Sequence, residues 1–407
     1  MHIKPESIAF TALLGMLVAL PSFGIDMNLP ALTSIGASFG ATAERAGLTM
    51  SLFMVGFAVA PPFCGPVSDR IGRKPIVLAA VGVFTAASIG CSVSSSLPML
   101  LALRVLQGMG AGVAMTTAFA IVQDLFTGAA GRAKLSYVAT LMLVIPMVAP
   151  AVGSAMLAWG DWRSIFGLLA GVGTFLLATF WVFFGESLRV DEGAQLDLAG
   201  VLRAYREVSR SPICMTYILI NSASFAALFA YVSGSSIFFI NALGLSRGQY
   251  SAIFATTSLG IMASAFLNGK LSSRGVSPIY PLTIGVIMAV CSAALLLLAV
   301  LEGWSSVPCL VAMCFVASAA FGLIAPNALH AAMQPLPHLA GSVSGVGGFF
   351  QVLAGSAISA FVVSVNLGTH GLSMAVGMLL SSLAAAVALF CLALPARNLA
   401  WNGDQAR

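Results

Sequence analysis

At the end of the apolar run 45–67 the chain reads Gly65-Pro66-Val67-Ser68-Asp69-Arg70-Ile71-Gly72-Arg73-Lys74, and the next apolar run, 76–95, begins at once. Each run is close to the ~20 residues an α-helix needs to cross a bilayer. The segment between them is therefore a tight polar reversal at one membrane face. Its glycines permit the turn. Arg70, Arg73 and Lys74 suit helix ends and hold that face in water. The spacing Gly-x-x-x-Asp-Arg-x-Gly-Arg-Lys is more elaborate than topology alone requires, so Gly65, Asp69, Arg70, Gly72, Arg73 and Lys74 form a candidate gating motif.

Working outward, the same alternation covers the chain. Apolar runs fall at 8–32, 45–67, 76–95, 98–123, 135–158 and 163–185, then at 213–238, 248–269, 278–301, 307–329, 341–364 and 372–395. Of the 407 residues, 59% are hydrophobic and 8% charged, against roughly 25% charged in a soluble domain. An all-α membrane protein of twelve spans is expected. The run after His2–Ser7 is long enough to span and is read as a retained first helix. The seven cysteines fall mostly in apolar runs and the four histidines are scattered, so neither a disulfide framework nor a metal site is expected.

The longest polar stretch divides the runs six and six. The expected organisation is a six-helix half at 1–185, a linker at 186–212, partly an amphipathic surface helix, and a second half at 213–407. If the N-terminus is cytoplasmic, 14 of the 18 Lys and Arg lie on the cytoplasmic side, and both termini with them. The halves echo each other: Gly269-Lys-Leu-Ser-Ser-Arg-Gly275 stands after span 8 where the quoted segment stands after span 2. Duplicated halves with a site near the midplane are a transporter pattern.

Two ionisable residues lie deep in apolar runs, Asp26 in span 1 and Arg104 in span 4. Each is some six residues from the outer end of its run, at roughly 9–10 Å depth, which brings them within reach of each other. Charges in hydrocarbon are costly and face the bundle interior, so the pair is a candidate for proton coupling. Burial and a neighbouring cation act on a carboxyl's proton affinity in opposite senses, so a change in their separation would switch it. A structural ion pair is the plainer alternative. Gln107, one turn from Arg104, either lines a cavity or holds the guanidinium. Gly108 and Gly112 are spaced for close helix packing. Asp124 emerges at the face of the quoted segment, and a network of Asp69, Arg73 and Asp124 would latch that face. Pro146, Pro150 and Gly153 mark a kink in span 5. Asn28, Tyr217, Asn221, Asn327 and Gln351 are candidate cavity residues, although each could equally tie helices together. The second half has no acid inside a span, which places any proton carrier in the first.

The chain resembles the major facilitator superfamily, in particular the twelve-helix drug:proton antiporters of the bicyclomycin- and chloramphenicol-resistance branch. Gly65 to Lys74 is similar to the superfamily's loop 2–3 signature, Gly24-Ile-Asp-Met-Asn-Leu-Pro30 to the branch's first-helix signature, and Arg104-Val-Leu-Gln-Gly108 to its fourth-helix signature, whose Arg is linked to proton transfer. Pro326-Asn327 and Pro337-His-Leu-Ala-Gly341 also resemble the branch. Span 5 departs from the antiporter signature, with Ala149-Pro150 for Gly-Pro and Gly153-Ser154 for Gly-Gly. Asn28 stands where many relatives carry a Tyr or another larger residue.

The resemblance implies a monomeric, proton-coupled exporter of small, mainly lipophilic compounds in a bacterial inner membrane, without cofactor or nucleic-acid partner. The same fold would serve a polar metabolite. A membrane enzyme would need a nucleophile–base set or a metal cluster, and the sequence offers neither. A receptor would bring a soluble domain that this chain has no room for.

Overall fold

The computed structural model describes residues 7–126, 128–187, 198–304, 306–365 and 371–393, and of 65, 66, 69, 128–143, 198, 199 and 201 the backbone alone. All regular structure among these residues is helical. The helices are α1 (Ile8–Asp26), α2 (Leu32–Ser38), α3 (Ala43–Ile71), α4 (Arg73–Ser92), α5 (Leu97–Leu125), α6 (Gly128–Trp159) and α7 (Arg163–Phe183). They continue with α8 (Leu198–Arg210), α9 (Pro212–Ser236), α10 (Arg247–Ser273), α11 (Ile279–Leu301), α12 (Val307–Met333), α13 (Ala340–Ser364) and α14 (Leu372–Val387). π-helical turns extend α9 (Ile237–Ala242) and α14 (Ala388–Ala393).

Small hydroxyl residues set where spans begin. Ser7, Thr42, Ser96 and Ser211 each accept the amide three residues on, at 3.2–3.4 Å, satisfying a donor that the first turn leaves open. Pro98 and Pro212 fall in first turns, where the missing N–H costs nothing. Among the described residues eleven spans are long and apolar enough to cross a membrane, counting α1–α2 as one. The 32-residue α6, with its shorter apolar stretch Val144–Trp159, stands at the place of the twelfth. Phe175, Trp181, Ile284, Leu295 and Leu298 point outward, as residues solvated by hydrocarbon do. Between the sixth and seventh spans, α8 buries Val208 against Cys214, Ile218 and Val343 and exposes Arg203, Arg206 and Arg210, so the expected amphipathic helix is present.

Span 1 differs from the single helix expected over 8–32. It breaks after Asp26, turns through Met27 and Asn28, forms a 3₁₀ turn at Leu29–Ala31 and resumes as α2 to Ser38. Pro30 has no N–H to offer the carbonyl four residues back. The Asn28 amide instead bonds Ile25 O at 3.2 Å, and the Ala31 amide bonds Asn28 O at 3.0 Å. Asp26 thus sits at a discontinuity inside the span, twelve residues before its end at Ser38, and deeper than a span ending at 32 would put it.

The helices pack as two compact units. The first is Met1–Leu198 with Ser246–Ala255, holding α1–α7 and the start of α10. The second is Ala199–Leu245 with Thr256–Arg407, holding α8, α9, the rest of α10 and α11–α14. Each contains the same close helix crossing. In the first, Gly56 of α3 lies against the Val105 carbonyl and Gly112 of α5 against that of Phe57. In the second, Gly260 of α10 lies against the Phe315 carbonyl and Gly322 of α12 against that of Ile261. A Cβ at any of the four would press into that carbonyl, so backbone approach fixes these crossings. The matching contacts make Val105 equivalent to Phe315. Arg104 therefore corresponds to Cys314, and Gln107 to Ala317.

Candidate functional site: the break in the first span

Arg104 of α5 is fully buried, and its guanidinium reaches the break. Nη2 donates to Gly24 O at 2.9 Å and Nε to Thr49 O at 3.0 Å, while Nη1 donates to Gln107 Oε1. Its Cζ stands 4.4 Å from the centre of the Phe53 ring and 5.7 Å from that of Phe166. Gly24 allows this, because a side chain there would strike the Phe53 ring. A guanidinium in hydrocarbon needs acceptors in a fixed plane and gains from an aromatic face, and this site supplies both.

The Gly24 carbonyl is available because the helix breaks: the Asn28 amide bonds Ile25 O, and two side-chain donors take Gly24 O instead. They are Arg104 Nη2 and Asn28 Nδ2, the latter at 2.9 Å. Asn28 Oδ1 is buried and has no partner. Asp26 is 7% exposed, and its carboxylate makes no hydrogen bond or ion pair among the described residues. The meeting of Asp26 and Arg104 expected from the sequence therefore takes a different form. Arg104 grips the backbone two residues before Asp26, and among the described residues the carboxylate itself forms no ion pair.

Of the two readings of Gln107, the structure shows the second. Gln107 holds the guanidinium and passes the contact on, donating from Nε2 to Ser88 Oγ of α4 at 2.8 Å. Gly108 lies against the Phe53 carbonyl and Gly112 against that of Phe57, the packing expected of that pair.

At the charged face, Arg73 Nε lies 2.7 Å from Asp124 Oδ2, and Nη1 donates to Ser68 Oγ at 3.0 Å. Lys74 Nζ donates to the Trp181 carbonyl at 3.0 Å, and Arg70 is exposed. Gly65 and the side chain of Asp69 lie outside the residues whose side chains are described. The sequence reading missed Glu186. Its carboxylate accepts the backbone amides of Arg73 at 2.8 Å and Lys74 at 3.1 Å, capping the positive end of α4. Gly72, at φ +106°, makes room, since a Cβ there would run into the Glu186 carboxylate. The sequence signal was a lone acid at the end of span 6, 113 residues from Arg73.

Pro146 and Pro150 lie within an uninterrupted α6. Gly153 lies against the Met27 carbonyl, at the break in span 1, where a side chain would collide. Ser154, where the antiporter pattern has a second glycine, shares a 2.9 Å hydrogen bond with Ser251 at the start of α10.

In the second unit the candidates are dispersed. Asn221 Nδ2 donates to Gln351 Oε1 at 3.0 Å, tying α9 to α13, and Asn221 Oδ1 is buried without a partner. Asn327 Nδ2 donates to Asn268 Oδ1 at 2.6 Å, tying α12 to α10; Asn268 was also missed. Tyr217 is buried in an apolar cluster with Val208, Ile218 and Val343. Among the described residues no cluster of His, Cys, Asp or Glu is spaced to hold a metal.

Twelve membrane-length helices in two units with a repeated crossing, and a polar centre at a broken span, define a secondary-transporter class of fold. The Major Facilitator Superfamily model matches residues 13–360, and the chain belongs to that superfamily. It is 29% identical to an MFS-type transporter of Bacillus subtilis, YdgK, over 88% of this chain and 89% of the other. It is 27% identical to a bicyclomycin resistance protein homolog of Haemophilus influenzae, over 91% and 92%. A crystal structure of a D-xylose–proton symporter superposes with a TM-score of 0.72 at 15% identity, over 94% of this chain and 97% of that one, which shows the shared fold. The chain is a multi-pass membrane transporter, not an enzyme.

Proposed function

We propose that this protein exports small, mainly lipophilic compounds from a bacterial cell in exchange for protons, by alternating access, as a monomer with both termini in the cytoplasm. The observation that carries this reading is Asp26: a carboxylate inside a span, at a helix break, with no ion-pair partner among the described residues. An ionised carboxylate buried without a counter-charge is expensive. Two events remove that cost, binding a proton or meeting a cationic or donor-bearing cargo. They are mutually exclusive at one carboxylate, which is the coupling that exchange requires. Arg104 serves this by holding the Gly24 carbonyl, so a shift of α5 against α1 alters the surroundings of Asp26.

The relative named for bicyclomycin resistance supports a drug-like cargo. The unpartnered acceptors Asn28 Oδ1 and Asn221 Oδ1 favour a second reading, a more polar cargo carrying hydrogen-bond donors. A susceptibility panel in a pump-deficient bacterial host, followed by transport in proteoliposomes with and without a pH gradient, tests both. Resistance to lipophilic drugs with gradient-dependent transport supports the first reading. Gradient-dependent transport of polar metabolites alone supports the second, and gradient-independent transport removes the proton from either.

A further inference from the structure

We infer that the second unit holds an ordered water molecule between α9, α12 and α14, beside the position that Gln107 occupies in the first unit. The equivalence is set by backbone contacts: Gly56 meets Val105 as Gly260 meets Phe315, and Gly112 meets Phe57 as Gly322 meets Ile261. Where the first unit has Arg104 and Gln107, the second has Cys314 and Ala317. Ala317 is short and cannot make the cross-helix contact that Gln107 makes with Ser88, while Cys314 is fully buried and is not part of the cavity wall. A cavity results, lined among others by Ala317, Ser318 and Phe321 of α12, Ser224 and Tyr231 of α9 and Ser382 of α14. The space open to the centre of a water-sized molecule is about 10 Å³, room for one water.

The lining has the chemistry that water needs. Ser224 is 4% exposed, and its hydroxyl is buried without a partner among the described residues. Ser318 and Ser382 bring two more hydroxyls from facing helices, both buried. Tyr231, whose hydroxyl shares a 2.9 Å hydrogen bond with Thr257, also lines the cavity. A buried water typically makes about three hydrogen bonds to groups the protein leaves open, and a cavity of one-water size with several hydroxyls meets that condition. A dry cavity would leave the Ser224 hydroxyl desolvated and unpaired, which is costly. The first unit thus ties α5 to α4 directly through Gln107, and the second ties α9, α12 and α14 through a solvent molecule that can exchange.

The test turns on a sign. Ser224→Ala removes one oxygen and fits the same space, so folding is preserved. With a bridging water, the water loses a partner, and the thermal midpoint of the full-length purified protein falls by about 2 °C. With a dry cavity, the change deletes an unpaired buried hydroxyl and the midpoint stays or rises, which overturns the inference. Ser382→Ala provides the independent check. If both hydroxyls hold one water, the double variant loses less than the two single losses added together. Full additivity contradicts a shared water.

Discussion

Arg104 and Gly24 are joined by a 2.9 Å hydrogen bond from a fully buried guanidinium to a main-chain carbonyl released by the break in span 1. The side chain is thus committed to the shape of the first span, with Thr49 O and Gln107 as its other acceptors. We propose that Asp26, two residues on, is left to answer to protons and cargo. In the proposed exchange, the cation is a positioning group and the acid is the exchangeable one.

Arg104→Lys keeps the charge and loses the plane. A single ammonium cannot face three acceptors spread around a guanidinium fork. Each charge-assisted bond is worth about 1.5–3 kcal/mol, so loss of even one should lower gradient-driven transport by about 10-fold or more. Wild-type rates for Arg104→Lys in proteoliposomes would show that charge alone matters at this position.

Gly108 should prove far less tolerant than Gly82. A Cβ at Gly108 would run into the Phe53 carbonyl, whereas Gly82 has nothing within 4 Å. Gly108→Ala is expected to cost about 1–3 kcal/mol by forcing α3 and α5 apart. Gly82→Ala should be neutral, or stabilising by about 0.5–1 kcal/mol, since alanine suits a helix interior better. Thermal unfolding of the two purified variants compares them; equal stability would contradict the close crossing.

The charged face should behave as a latch. Asp124→Asn removes the carboxylate that Arg73 bonds at 2.7 Å, and Glu186→Gln weakens the cap on α4. Both should insert normally, because a single acid does not set topology. If the latched state loses about 1.4 kcal/mol, its population against the open state falls tenfold, and turnover should fall on that scale. Asp69→Asn should show the same defect. Normal turnover with normal expression in all three variants would reduce the network to a static brace.

Much of this was legible in the sequence. The twelve spans followed from run length, because hydrocarbon thickness imposes it. Gln107 and the Arg73–Asp124 pair followed from helical spacing and from charges sharing one face. The break after Asp26 was not legible: Leu29-Pro30 reads equally well as the end of a helix or as an interruption within one. Nor could the sequence show that Arg104 would choose the Gly24 carbonyl over the Asp26 carboxylate. Main-chain acceptors carry no residue-type signature, and this one is exposed only by the break. Glu186 was hidden for a related reason, since its partners are backbone amides on another helix.

Topology can be read with reporters. Fusions after Lys74 and Arg206 should report cytoplasmic, and fusions after Ser95 and Asn241 external, following the distribution of basic residues. An external signal after Arg206 would overturn the arrangement of six spans, linker and six spans.

The central claim is that Asp26 is the group at which proton and cargo exclude each other. Cargo-induced proton release from detergent-solubilised protein in weak buffer measures this directly, using a compound taken from the susceptibility panel. The wild type should release about one proton per cargo bound, as linkage between two ligands competing for one group requires. Asp26→Asn should still bind a neutral cargo, since the amide keeps the shape and hydrogen bonding of the protonated acid, but should release none. Release from Asp26→Asn equal to that of the wild type would contradict the account and place the proton on another residue.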